Sequence, residues 1–142
     1  MGSGPRTWLL GVPIDICEML LRTTPLGRLG VVVDGRPVVF PVCGVYVGGT
    51  VAFPTVPGTK LHAALTWPWV CYEVDGVSRD GQQGWSVIVQ GRAEVVTDTR
   101  DIELATALRT APWRTSGDVV WVRIVPDEIS GRRIEPDERF TS

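Results

Sequence analysis

The chain is poor in the residues from which metal sites and nucleophilic triads are built. It has one histidine, His62, and three cysteines, Cys17, Cys43 and Cys71, in 142 residues. No two cysteines form a C-x-x-C pair, so neither a zinc site nor a disulfide framework is expected. Their apolar neighbours point to buried, reduced thiols and a cytoplasmic location. Clustered positive charge is missing as well. Fourteen basic residues stand against sixteen acidic ones, for a net charge of -2, and the densest basic spot is the pair Arg132-Arg133. That excludes a nucleic-acid-binding face. Long apolar runs are absent: Pro13, Asp15 and Glu18 interrupt the segment after Trp8-Leu9-Leu10, so neither a signal peptide nor a membrane span is expected. No serine–histidine pair or carboxylate pair in an apolar pocket stands out, and no catalytic residue is assignable. Nothing repeats and nothing is of low complexity.

What is present is glycine (16), proline (11) and tryptophan (6), spaced among β-branched runs. The length suits one domain. We place it at residues 14–134, with residues 1–13 as an N-terminal leader and residues 135–142 as a flexible polar tail. Pro13 opens a helix over 14–22, stopped by Pro25 and Gly27. Residues 28–33 and 37–47 are β-like and flank Asp34-Gly35, a strong hairpin signal that Arg36-Pro37 lengthens. Gly48-Gly49 then turns the chain into 50–53, giving a three-stranded meander. Pro41 and Gly44 mark a bulge or edge, or a place where a flat ligand approaches the backbone. Strands follow at 69–77, 85–96 and 118–125. A helix lies at 100–109 behind the cap Thr97-Asp98, a loop at 112–117, a turn at Pro126-Asp127-Glu128 and a last run at 129–134. About six strands with short turns and a few helices predict a mainly β protein, a barrel with peripheral helices.

The stretch T50-V-A-F-P-T-V-P-G-T-K-L61 reads as a strand, a tight loop and a helix N-terminus over 59–65. Helix N-termini present unpaired N–H groups and the positive end of a dipole, which suits phosphate. Thr55 and Thr59 add hydroxyls and Lys60 a point charge. The same residues also suit an ordinary strand-to-helix connection with one surface lysine.

The order G-R-L-G-V-V-V-D-G-R-P-V-V-F-P-V, then V-A-F-P-T-V-P-G-T-K-L, then G-W-S-V-I-V-Q-G-R-A-E-V-V-T-D resembles the pyridoxamine 5'-phosphate oxidase-like flavoproteins, in particular their short actinobacterial branch. The ending W-V-R-I-V-P-D-E-I-S-G-R-R-I fits too. The resemblance implies an FMN-binding split barrel of about six antiparallel strands. It further implies a homodimer, with FMN or a related deazaflavin in grooves between subunits and a small flat or aromatic substrate above the ring. It implies an oxidoreductase or, alternatively, a non-catalytic member that has lost its cofactor or binds another anionic ligand. Nothing implies a nucleic-acid or membrane partner.

Against the family's phosphate clamp F-R-T-x-x-G-x-K-L, the residues Phe53, Thr55, Gly58, Thr59 and Lys60 match, while Pro54 stands where arginine is usual. Loss of that charge-assisted contact, about 1.5–3 kcal/mol, predicts FMN affinity lowered roughly tenfold to a hundredfold. Relatives often read F-P-V-N where this chain has Phe40-Pro41-Val42-Cys43. With no Lys, Arg or His adjacent in sequence, Cys43 is expected to be structural. By the same resemblance Trp85 stacks on the ring, seals the interface or anchors the core, and Arg92 reaches a partner's phosphate or is simply solvated. His62 is read as a surface residue, and part of the tryptophan load is assigned to a subunit interface.

Overall fold

A computed structural model describes residues 7–109 and 118–136, with side chains from residue 10 to residue 135. The order is β1 (Thr7–Gly11), α1 (Ile14–Thr23), β2 (Leu26–Val33), β3 (Arg36–Cys43), β4 (Val45–Val47), β5 (Thr50–Thr55), α2 (Thr59–Thr66), β6 (Trp69–Val77), β7 (Gly84–Val95), α3 (Thr99–Leu108) and β8 (Val120–Pro136). All pairings are antiparallel. They form one curled sheet in the order β3-β2-β6-β7-β8-β5-β4, with β1 alongside β8. The predicted split barrel is correct. Residues 110–117 and 137–142, with the expected loop at 112–117 and most of the tail, lie outside the described residues, as does the start of the leader.

Period-two patterning builds the core. Val87, Val89 and Ala93 of β7 point inward with Val70, Tyr72 and Val74 of β6, while Ile88, Gln90 and Arg92 point outward. Phe53, Leu29, Val122 and Ile124 complete this main core. A smaller one under α3 joins Ala52, Val96, Ala105 and Trp121. Asp98 caps α3 by accepting from the N–H groups of Arg100 (2.8 Å) and Asp101 (3.2 Å).

Four local expectations change. Asp34-Gly35 is a two-residue turn with φ of 50° and 75°, so Val33 pairs with Arg36 directly and Arg36-Pro37 does not lengthen it. The run 37–47 is two strands rather than one. Its halves lie at opposite ends of the sheet path, so the meander is replaced by a crossing at Gly44 that brings β3 against β5. Pro126-Asp127-Glu128 does not turn the chain. It is a bulge inside the long strand β8, opposite the register shift at Gln90/Gly91, where a missing proline N–H is tolerated. Residues 7–11 of the expected leader form β1, with Leu9 opposite Ile134.

Candidate functional site

The crossing at Gly44 leaves a seam: β3 and β5 touch but share no ladder. A cavity of about 120 Å³ opens there, walled by Pro41, Val42 and Cys43 of β3 and by Pro54 and Thr55 of β5. Lys60 enters from the first turn of α2, and Arg109 from the residue after α3. Among the described residues no carboxylate lines it. Thr55 is almost wholly buried (2% exposed) and its hydroxyl donates to the Val56 carbonyl at 3.3 Å, leaving its lone pairs as acceptors. Gly58 precedes α2 and no side chain caps the helix, so its first N–H groups lack side-chain partners.

Electrostatics follow from this burial. Desolvation holds the Lys60 ammonium below its ordinary pKa, because half-burial disfavours the charged form. Burial also raises the Cys43 thiol, while Arg109 and Lys60 pull it the other way without prevailing. Cys43 therefore does have cationic neighbours, contrary to the expectation from its sequence surroundings. They arrive from two distant segments, yet the thiol remains protonated at neutral pH.

The clamp residues read from sequence divide. Thr55 and Lys60 face the cavity together, and Thr59 is exposed at the start of α2 beside them. Gly58 is in extended backbone with open space around it. Phe53 is committed to the main core, so what it gives the loop is anchorage. Trp85 and Arg92 are elsewhere. Trp85 packs its indole against Gly76 and lines a separate hollow with Val12, Ile16 and Leu20. Arg92 lies on the outer sheet face, 5.1 Å from the Trp69 ring centroid. His62 is exposed, and its ring lies 3.4 Å from the Thr66 hydroxyl of its own helix. Sequence reading missed Arg109, which no motif contains. It also missed the carboxylates Glu73 and Asp75, which share the outer face of β6 with Arg28 of β2. Their i, i+2 spacing in a strand was the available signal. Among the described residues no group of three or more His, Cys, Asp or Glu could hold a metal ion, and no helix is long and apolar enough to cross a membrane.

A family model described as "Pyridoxamine 5'-phosphate oxidase" matches residues 14–133. An uncharacterized protein of Mycobacterium tuberculosis is 37% identical over 98 residues, which span 66% of this chain and 87% of that protein. Among solved structures, the FAD binding protein from Mycobacterium smegmatis is similar at 35% identity and a TM-score of 0.74, over 89% of this chain and 98% of that one. A FAD-binding protein from Mesorhizobium loti shares the fold at 23% identity and a TM-score of 0.79, over 92% of this chain and 99% of its own.

Proposed function

Given that this chain belongs to the pyridoxamine 5'-phosphate oxidase-like split-barrel family, we propose that it binds a phosphorylated flavin, FMN in the first place, and acts as a flavin-dependent oxidoreductase on a small flat substrate. The observation that carries this reading is the seam cavity, where Lys60 meets an uncapped helix start and, among the described residues, no carboxylate joins the lining. Lys60 and the N–H groups at the start of α2 suit a phosphate, while Thr55, whose proton goes to the Val56 carbonyl, shapes the wall. At about 120 Å³ the cavity is well below the roughly 300–1,000 Å³ of ordinary small-molecule sites, which suits the phosphate rather than the ring system. The ring system would lie outside it, on the surface that a second copy of the chain closes. In that arrangement Arg92, on the outer sheet face, serves the partner's ligand, whereas Trp85 packs against the core of its own protomer. The FAD-binding relative from Mycobacterium smegmatis supports a flavin and makes FAD the other form to test.

When bound, the flavin supplies the redox chemistry. This chain's own residues hold the phosphate and orient the ring. Cys43 keeps its proton, so no thiolate is poised in the seam.

A second reading has its own observation. Pro54 removes both a guanidinium and an N–H from the clamp, which favours a member that binds flavin weakly or not at all. Purified protein mixed with FMN, or with FAD, and then desalted separates the two. Retained absorbance that bleaches on reduction is the expected outcome, and a colourless protein favours the second reading.

A further inference from the structure

The second core, between α3 and the sheet, is incompletely filled. A cavity of about 140 Å³ remains there, walled by Ala52 of β5, Ile102 and Ala105 of α3, Trp121 of β8, and Val96. Ala52, Val96, Ala105 and Trp121 are all buried. Ala52 and Ala105 contribute only a methyl group each, so helix and sheet do not meet between them. The surrounding frame is fixed. The Asp98 cap holds the start of α3, and the Val96 N–H donates to the Trp121 carbonyl at 2.8 Å. Two charged groups also belong to the lining, Arg123 and the half-exposed Asp101. The Arg123 Nε donates to Glu94 at 2.6 Å and its Nη1 donates to Asp101 at 3.3 Å, which ties the rim of the cavity to β7, β8 and α3 together.

We propose that this cavity is a binding site for a small, neutral, single-ring aromatic molecule carrying one hydroxyl, the phenol class, with the ring against Trp121 and the hydroxyl at the Arg123–Asp101 pair. Size sets the first limit. An apolar cavity of about 150 Å³ admits one benzene-sized ring. The three fused rings of a flavin exceed it, and it shares no lining residue with the seam cavity, so the site stands apart from the flavin reading. Packing sets the second. Atoms lining a void lack partners on one side, and a ring restores those contacts and adds an aromatic pair with the indole. Polarity sets the third. A carboxylate oxygen accepts the proton of a hydroxyl and a guanidinium N–H donates to its oxygen, whereas the apolar walls disfavour a charged guest.

The test is a titration of the ¹⁵N-labelled chain, without flavin, followed by the Trp121 indole N–H resonance. Phenol is expected to shift it saturably, with a dissociation constant of about 1 mM or tighter. The two-ring 2-naphthol, being too large, leaves it unmoved. Ala105→Leu fills the cavity from the helix side, so phenol binding weakens at least tenfold while the urea midpoint stays level or rises. Ala52→Val fills it from the sheet side and keeps the test available should the first variant misfold. Asp101→Ala weakens phenol about tenfold and leaves fluorobenzene unchanged. Absence of saturable binding in the wild-type chain overturns the proposal and leaves a mere packing void. Phenol binding that survives both filling variants places the ligand elsewhere and also overturns it, as does 2-naphthol bound as tightly as phenol. Equal affinity of the wild-type chain for phenol and fluorobenzene overturns the role given to Arg123 and Asp101.

Discussion

Glu73 and Asp75 alternate along β6 and therefore share the outer sheet face, where Arg28 reaches both, Asp75 at 2.7 Å and Glu73 at 3.4 Å. Burial, then the hydrogen bond and charge of Asp75, raise Glu73 from its ordinary 4.5 to about 7, against the pull of Arg28. The folded chain thus holds a proton that the unfolded chain releases. The stabilisation this gives is complete below about pH 4.5 and is lost as pH rises through about 7. Urea midpoints measured between these limits should fall with rising pH in wild type. Glu73→Gln should flatten that slope, and an unchanged slope would assign it to other groups. Sequence order decides which such clusters are readable. Thr55 and Lys60 were legible because one loop carries both. Arg109 and the environment of Cys43 were not, because residues from β3, β5, α2 and the end of α3 meet only after the barrel closes.

Strand limits are governed by which backbone groups can pair. The helices and the strands β6 and β7 were legible to within a residue, since apolar period and capping residues agree there. The division of 37–47 was not, because nothing in P-V-V-F-P-V-C-G-V-Y-V says that its halves pair with different partners. Its cause is a close approach. A Cβ on Gly44 would sit 2.6 Å from the Tyr72 hydroxyl oxygen and 3.1 Å from Val51, both fully buried. Only glycine lets the chain cross there and bring Cys43 to the seam. Gly44→Ala should therefore cost about 3 kcal/mol, the upper end for overpacking, read as a lowered urea midpoint at constant slope. Gly58→Ala is the control. Its backbone is extended and no atom lies within 4 Å of the added methyl, so a change within about 0.5 kcal/mol is expected. Equal costs at the two sites would mean that the crossing is not what Gly44 provides.

At the scale of the molecule, the sheet presents an outer face that one protomer leaves uncovered. Val39 is 64% and Trp69 49% exposed, joined by Ile88 and Val125. In register across β6, β7 and β8, Trp69 opposes Arg92 and Arg92 opposes Val125, so the arginine of the stack lies between two apolar side chains. Exposed apolar side chains are ordinary one by one, and we propose that those beside the Trp69–Arg92 stack form a contact surface. We propose that the two-copy arrangement uses this face, which would cover Trp69. Light scattering after gel filtration should then give twice the 15.5 kDa of the chain. Trp69→Glu is the informative variant. A glutamate opposite Arg92 keeps a favourable cross-strand pair, so the fold is retained while a charge enters the centre of the contact. Removal of a central tryptophan typically costs about 2 kcal/mol or more of association, roughly a thirtyfold rise in the dimer dissociation constant. The mass should move toward a single chain on dilution, and, on the proposed reading that a second copy closes the flavin groove, FMN retention should fall with it. A variant that stays dimeric and keeps its flavin would put the contact on another face.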